Sequence, residues 1–152
     1  MNDTYILFGT QTGTTEILAL ELEEAMKEAG YNCKCENIFE VKVDLLKQIK
    51  RVFIVMSTWG DGDPPDDAED FYTDLISLPD RALYGLEFGV AALGDSGYEQ
   101  FCQCGINFDE HLERLGGKRI IDRVDCDIDY EASFDNWKNG VIEALSLSLV
   151  RS

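Results

Sequence analysis

The sequence predicts a doubly wound α/β fold, a five-stranded parallel sheet with helices on both faces. Three apolar runs carry that expectation: Tyr5-Ile6-Leu7-Phe8-Gly9, Val52-Phe53-Ile54-Val55-Met56 and Phe88-Gly89-Val90-Ala91-Ala92-Leu93. Each is apolar at consecutive positions, hence on both pleat faces, as central strands need when helices cover the sheet above and below. Helical patterns alternate with these runs, and right-handed crossovers between parallel strands wind the chain around both faces.

The elements follow in chain order. Strand one is Thr4 to Gly9. Helix one runs from Thr14 to Ala29 with Leu18, Leu22, Met26 and Ala29 on one face, and Gly30 stops it. Tyr31 to Ile38 alternates Tyr31, Cys33 and Cys35 with polar neighbours, the pattern of an edge strand with one covered face. A short helix over Asp44 to Lys50 precedes strand three, and a further helix over Asp66 to Leu78 ends at Pro79. After strand four, Cys104 to Leu115 turns Phe108, Leu112 and Leu115 inward and stops at Gly116-Gly117. Strand five is Lys118 to Cys126, read as uninterrupted. The last helix, Tyr130 to Leu149, lines up Phe134, Trp137, Val141, Leu145 and Leu149. Trp137 and Phe8 are read as core packing.

The loops after the three apolar strands carry the chemistry. Thr10-Gln11-Thr12-Gly13-Thr14-Thr15 links strand one to helix one. A helix N-terminus offers unpaired N–H groups and a partial positive charge, and the threonine hydroxyls add donors at the same spot. A phosphate is the natural ligand. The loop lacks the Gly-Lys-Ser/Thr ending of nucleotide triphosphatases, and no Lys or Arg lies between Met1 and Met26, so a single terminal phosphate of a mononucleotide fits best. Ser57-Thr58-Trp59-Gly60-Asp61-Gly62-Asp63-Pro64-Pro65 follows strand three, and Gly94-Asp95-Ser96-Gly97-Tyr98-Glu99 follows strand four. Each holds one large aromatic, Trp59 or Tyr98, among glycines and small polar residues that allow close backbone approach. One phosphate loop and two aromatic loops at strand carboxyl ends describe a site for a planar ring with a phosphate tail.

In this order the three segments resemble the phosphate loop and the two ring loops of the flavodoxin family, including the FMN domains of diflavin reductases, and the likeness spans essentially the whole chain. The resemblance implies the strand order 2-1-3-4-5 and FMN as a non-covalent cofactor. It implies that Thr10, Gln11, Thr12, Gly13, Thr14 and Thr15 hold the phosphate, with Thr58 adding a hydroxyl. Trp59 and Tyr98 would sandwich the ring, and Gly60, Asp61 and Asp95 would meet its polar edge. Ser57, Leu93, Gly94, Phe101 and Cys102 complete the implied set. The Asp-Gly-Asp-Pro-Pro-Asp-Asp stretch at 61–67 looks more like a diflavin-reductase FMN domain than a free flavodoxin. The implied function is a low-potential one-electron carrier, free or as a module of a larger reductase; a flavodoxin-like accessory module acting by protein contact is the alternative.

Composition bounds the partners. The 152 residues suit one domain, 1–152, able to bury about two-thirds of its unfolded surface. No apolar stretch approaches the roughly 20 residues that span a bilayer, and no secretory signal opens the chain, so the expectation is a cytoplasmic monomer. The net charge of −17 disfavours nucleic acid and anionic membranes. Acidic residues crowd the implied site: Asp61, Asp63, Asp66, Asp67, Glu69, Asp70, Asp95, Glu99, Asp125, Asp127 and Asp129. They favour redox proteins with electropositive docking surfaces, a reductase as donor and a soluble redox enzyme as acceptor. With no basic residue in the three loops, they also disfavour a flavin that gains negative charge on reduction, hence a low potential. The five cysteines fit no zinc spacing, and His111 is the single histidine, so no metal site and no catalytic residue is expected.

Overall fold

The computed structural model describes residues 3–9, 13–57, 68–94 and 102–151. The elements are β1 (Thr4–Gly9), α1 (Thr14–Glu28), β2 (Lys34–Asn37), 3-10 turns at Ile38–Glu40 and Val43–Lys47, and β3 (Arg51–Ser57). They continue with α2 (Glu69–Ile76), β4 (Glu87–Leu93), α3 (Gln103–Arg114), β5 (Lys118–Arg119), β6 (Val124–Cys126) and α4 (Tyr130–Arg151). The strands run parallel in the order β2-β1-β3-β4-β5, with β6 also on β4. This is the doubly wound sheet, with the order 2-1-3-4-5, that the sequence and its resemblance lead one to expect.

The two pleat faces feed two cores. Leu7, Ile54, Met56, Phe88 and Val90 face α2, α3 and the 3-10 turns, meeting Phe71, Leu75, Phe108 and Leu112. Ile6, Phe8, Phe53, Val55, Ala91 and Leu93 face α1 and α4, meeting Leu18, Leu22, Met26, Phe134, Trp137 and Val141. Trp137 and Phe8 are core residues, as read from the sequence, and Trp137 sets its edge against Phe53 at 6.1 Å. Consecutive residues Val52 through Met56 are wholly buried, so the absence of alternation in the sequence records burial on both faces.

Three elements differ from the sequence expectation, each for a local reason. Helix α1 closes with Gly30 N–H donating to the Lys27 carbonyl (3.0 Å) and Tyr31 N–H to that of Met26 (2.9 Å). This paired closure takes Tyr31 into the helix end, so β2 starts at Lys34 instead of Tyr31, and Ala29 is exposed. The stretch after β2 forms two short 3-10 turns in place of one α-helix, burying only Ile38, Val43 and Leu46. Strand five is broken into β5 and β6. Phe88 pairs with Arg119 but Ala91 with Val124, so residues 120–123 hold two more positions than the partner strand. The excess is a bulge. It seats Ile121 between β4 and α4: a Cβ on Gly89 would lie 2.5 Å from Ile121 Cγ2, and one on Gly140 2.8 Å from Ile121 Cδ1.

Helix α3 packs tightly on the sheet where Gly105 meets Ala92, with no room there for a further carbon. Gly105→Ala should therefore lift the start of α3 from β4 and destabilise the fold by about 1–3 kcal/mol, the range for overpacking a tight core. Urea unfolding checks this, and an unchanged midpoint would mean that the helix shifts freely.

Candidate functional site

The sheet register brings the ends of the three loop-bearing strands together. Gly9 pairs with Met56, Ser57 with Leu93, and Leu93 with Cys126, so the segments after β1, β3 and β4 leave from neighbouring points of one carboxyl edge. Between β1 and β3 the winding reverses, with β2 to one side and β4 to β6 to the other. A crevice opens at such a reversal, where α/β sheets bind ligands.

Several predicted residues fall where the chain is described. Gly13 is the N-cap of α1 with φ +88°, a backbone region that glycine enters without strain. A glycine in this position brings no capping side chain of its own. Thr15 is wholly buried, and its hydroxyl donates to the Gly9 carbonyl at 3.0 Å. Ser57 adds a longer hydroxyl bond to the same carbonyl, 3.4 Å. Gly9 thus ties the end of β1 to the start of α1 and to β3. A hydroxyl has one proton to give, so a Thr15 that binds an anion does so through its N–H. Leu93 is buried at the end of β4, and Gly94 N–H donates to the Cys126 carbonyl at 2.9 Å. Thr10, Gln11, Thr12, Thr58, Trp59, Gly60, Asp61, Asp95, Tyr98 and Phe101 lie outside the described residues.

Cys102 opens α3 in the left-handed region, φ +55°. It is wholly buried, and its thiol reaches the carbonyls of Ala92 (3.4 Å) and Cys126 (3.6 Å). The sequence reading ends strand five at Cys126 but gives it no part in the site. Its side chain is buried at the end of β6, and its carbonyl joins the third loop to the sheet. Only the register of the broken strand five brings it there, so local pattern could not have found it.

All five cysteines are free thiols. Burial, reinforced by nearby carboxylates, pushes Cys33 and Cys126 up to about 11 and Cys35 and Cys102 up to about 12. Near neutrality they are protonated and poor nucleophiles. The linkage to stability has a definite sign: above about pH 9 the unfolded chain releases thiol protons that the native one retains, so stability falls as pH rises through the native values. Urea midpoints should drop between about pH 8 and about pH 10. Identical midpoints at the two would contradict thiols held neutral by burial. Among the described residues, no group of three or more His, Cys, Asp or Glu could hold a metal, and no helix is long and apolar enough to cross a membrane.

Charge is sorted along the strands. Lys34, Arg51 and Lys118 stand at strand starts, at the opposite edge, where Arg51 Nε meets Glu87 at 2.7 Å. At the carboxyl edge, Glu69, Asp70 and Asp129 are exposed, while Asp125 receives Arg123 Nε at 2.8 Å. After strand three the described acidic residues are thus Glu69 and Asp70, and after strand five Asp125 is offset by Arg123.

The left-handed glycine that opens α1 and the shared strand edge suit a phosphate-tailed ring. Comparison with known proteins agrees. A flavodoxin family profile matches residues 6–137. The flavoprotein alpha-component of sulfite reductase (NADPH) from Bacillus subtilis is 42% identical over 141 residues, covering 93% of this chain and 23% of that protein. Its counterpart from Shewanella sp. strain MR-4 is 41% identical over 140 residues, covering 92% and 23%. The chain thus spans less than a quarter of these relatives' length. Among solved structures, a Streptococcus pneumoniae flavodoxin superposes with a TM-score of 0.84 at 26% identity, covering 95% of this chain and 98% of that one. A Pseudomonas aeruginosa flavodoxin carrying a cysteine-to-serine change gives 0.81 at 27% identity, covering 94% and 98%. With the profile, the sheet order and the strand-edge geometry all in agreement, the chain belongs to the flavodoxin family, and it is an electron carrier whose cofactor is FMN.

Proposed function

We propose that the protein is a low-potential one-electron carrier that receives electrons from a reductase and passes them to a soluble redox enzyme, docking through its acidic carboxyl edge. The observation that supports this best is the register: three loop-bearing strands end side by side at the reversal of the sheet. When bound, FMN supplies a ring that takes up and gives up electrons singly. The chain's residues hold and tune it. Thr10, Gln11, Thr12, Gly13, Thr14 and Thr15 surround the phosphate, Trp59 and Tyr98 flank the ring, and the strand-end residues Ser57, Leu93 and Gly94 carry the loops. The exposed Glu69 and Asp70, with no Lys or Arg from Val52 to Asp80, make negative charge on the ring costly and so lower the potential. Net charge and protonated thiols suit a soluble monomer in the reducing cytoplasm.

A reductase-module reading has its own support. Identity to the sulfite reductase flavoprotein component is 42%, against 26% to the pneumococcal flavodoxin. On that reading the donor is another flavin module, and the docking chemistry is the same.

Electron transfer to a basic acceptor tests the proposal. With a basic c-type cytochrome, the bimolecular rate should fall at least about tenfold between low and half-molar salt, because the screening length contracts well below 10 Å. A rate that is flat across that range would remove the acidic docking edge from the proposal.

A further inference from the structure

The two residues that flank segment 95–101 are tied to one point of the sheet. The segment leaves from Gly94 and returns at Cys102, and both of these ends hang on one acceptor, the carbonyl of Cys126. Gly94 N–H donates to it at 2.9 Å and the Cys102 thiol reaches it at 3.6 Å, the same thiol lying 3.4 Å from the Ala92 carbonyl. Those two carbonyls belong to adjacent strands, β4 and β6, so the sulfur sits across the seam between them. The ends are also pressed together: a Cβ on Gly94 would stand 2.8 Å from the Cys102 nitrogen and 3.2 Å from its sulfur. Cys102 accepts a left-handed backbone, φ +55°, which is strained for a residue bearing a side chain. A glycine would adopt it freely, so the side chain is what keeps a cysteine useful here.

We propose that Cys102 is a positioning residue for FMN: its buried thiol, across the seam of β4 and β6, fixes the points at the sheet edge from which the chain leaves at Gly94 and returns at Cys102. The role requires a proton on sulfur, since a thiolate between two carbonyl oxygens would be repelled by both. It rests on the FMN reading given above, and it concerns the thiol of Cys102, not contact of that side chain with the cofactor.

The test uses the whole protein with FMN. Cys102→Ala removes the donor, Cys102→Ser keeps one, and Gly94→Ala pries the same junction open from its other end. Each apoprotein is titrated with FMN by flavin fluorescence, the two one-electron potentials are measured in the holoprotein, and urea unfolding of each apoprotein reports the fold. Cys102→Ala and Gly94→Ala should weaken FMN binding at least about tenfold and shift the potentials, while Cys102→Ser recovers binding to within about threefold of wild type. A merely structural cysteine would lower apoprotein stability without moving the potentials of the FMN-loaded form. Wild-type affinity and potentials in Cys102→Ala, or equal losses in the alanine and serine variants, overturn the proposal. If Cys102→Ala does not fold, Gly94→Ala and Cys102→Ser decide on the same readouts, wild-type potentials in Gly94→Ala counting against it. Failure of the wild-type protein to bind FMN overturns both this inference and the FMN reading, and is told apart by that control alone.

Discussion

FMN should bind this protein at least about 100-fold more tightly than riboflavin, because only FMN brings the anion that the start of α1 is built to receive. That helix begins at a glycine, Gly13, whose φ of +88° lies in the left-handed region and which brings no capping side chain of its own. Thr15 spends its hydroxyl proton on Gly9 and thereby braces the turn, leaving N–H groups of the first helical turn as the donors of choice. Hydrogen bonds to a charged acceptor contribute about 1.5–3 kcal/mol each, so two or three of them give the expected ratio. No lysine or arginine precedes Lys27, and the phosphate preference should therefore persist at high salt better than a lysine-based one. Calorimetric titration of the apoprotein with both flavins at two salt concentrations measures this. Equal affinities would mean that the turn after β1 does not hold the phosphate.

Asp109→Ala should cost about 3 kcal/mol of stability, away from the cofactor. The Asp109 carboxylate is only 4% exposed and takes Arg119 Nη2 at 2.7 Å and Arg123 Nη1 at 3.2 Å. It fastens α3 to β5 through Arg119 and to the bulge before β6 through Arg123. Removing it leaves two partly buried guanidinium groups short of their anion, and Glu113 and Asp125, their other partners, are more exposed. Asp135→Ala provides the contrast, since the Lys138–Asp135 pair has a 62% exposed carboxylate and should contribute next to nothing. Urea unfolding of both variants compares them, and similar small losses would show that the bulge is held by Ile121 packing alone.

The parts of the molecule legible in the sequence are those where local pattern and burial coincide. Val52 to Met56 and Phe88 to Leu93 read as central strands because both pleat faces are covered, and Leu18, Leu22 and Met26 read as a helix face because one stripe is. Gly30 and Gly116 read correctly as stops, since each closes its helix with the same pair of hydrogen bonds. The three loop motifs mark the segments whose described flanks, Gly13, Thr15, Ser57, Leu93 and Gly94, stand at one edge of the sheet.

Tertiary structure alone decided the rest. Lys118 to Cys126 contains no turn signal, yet it breaks into two strands, because Ile121 finds a slot between Gly89 and Gly140, residues far from it in sequence. That shift of two positions brings the Cys126 carbonyl to Gly94 and Cys102. The sequence by itself determined the layers, the strand order through the family it resembles, and the nature of the cofactor, since these follow from periodicity and from motifs at strand ends. The register of the fifth strand and the cysteine junction beneath the third loop belong to packing: they depend on side chains meeting across the sheet, which no local pattern encodes.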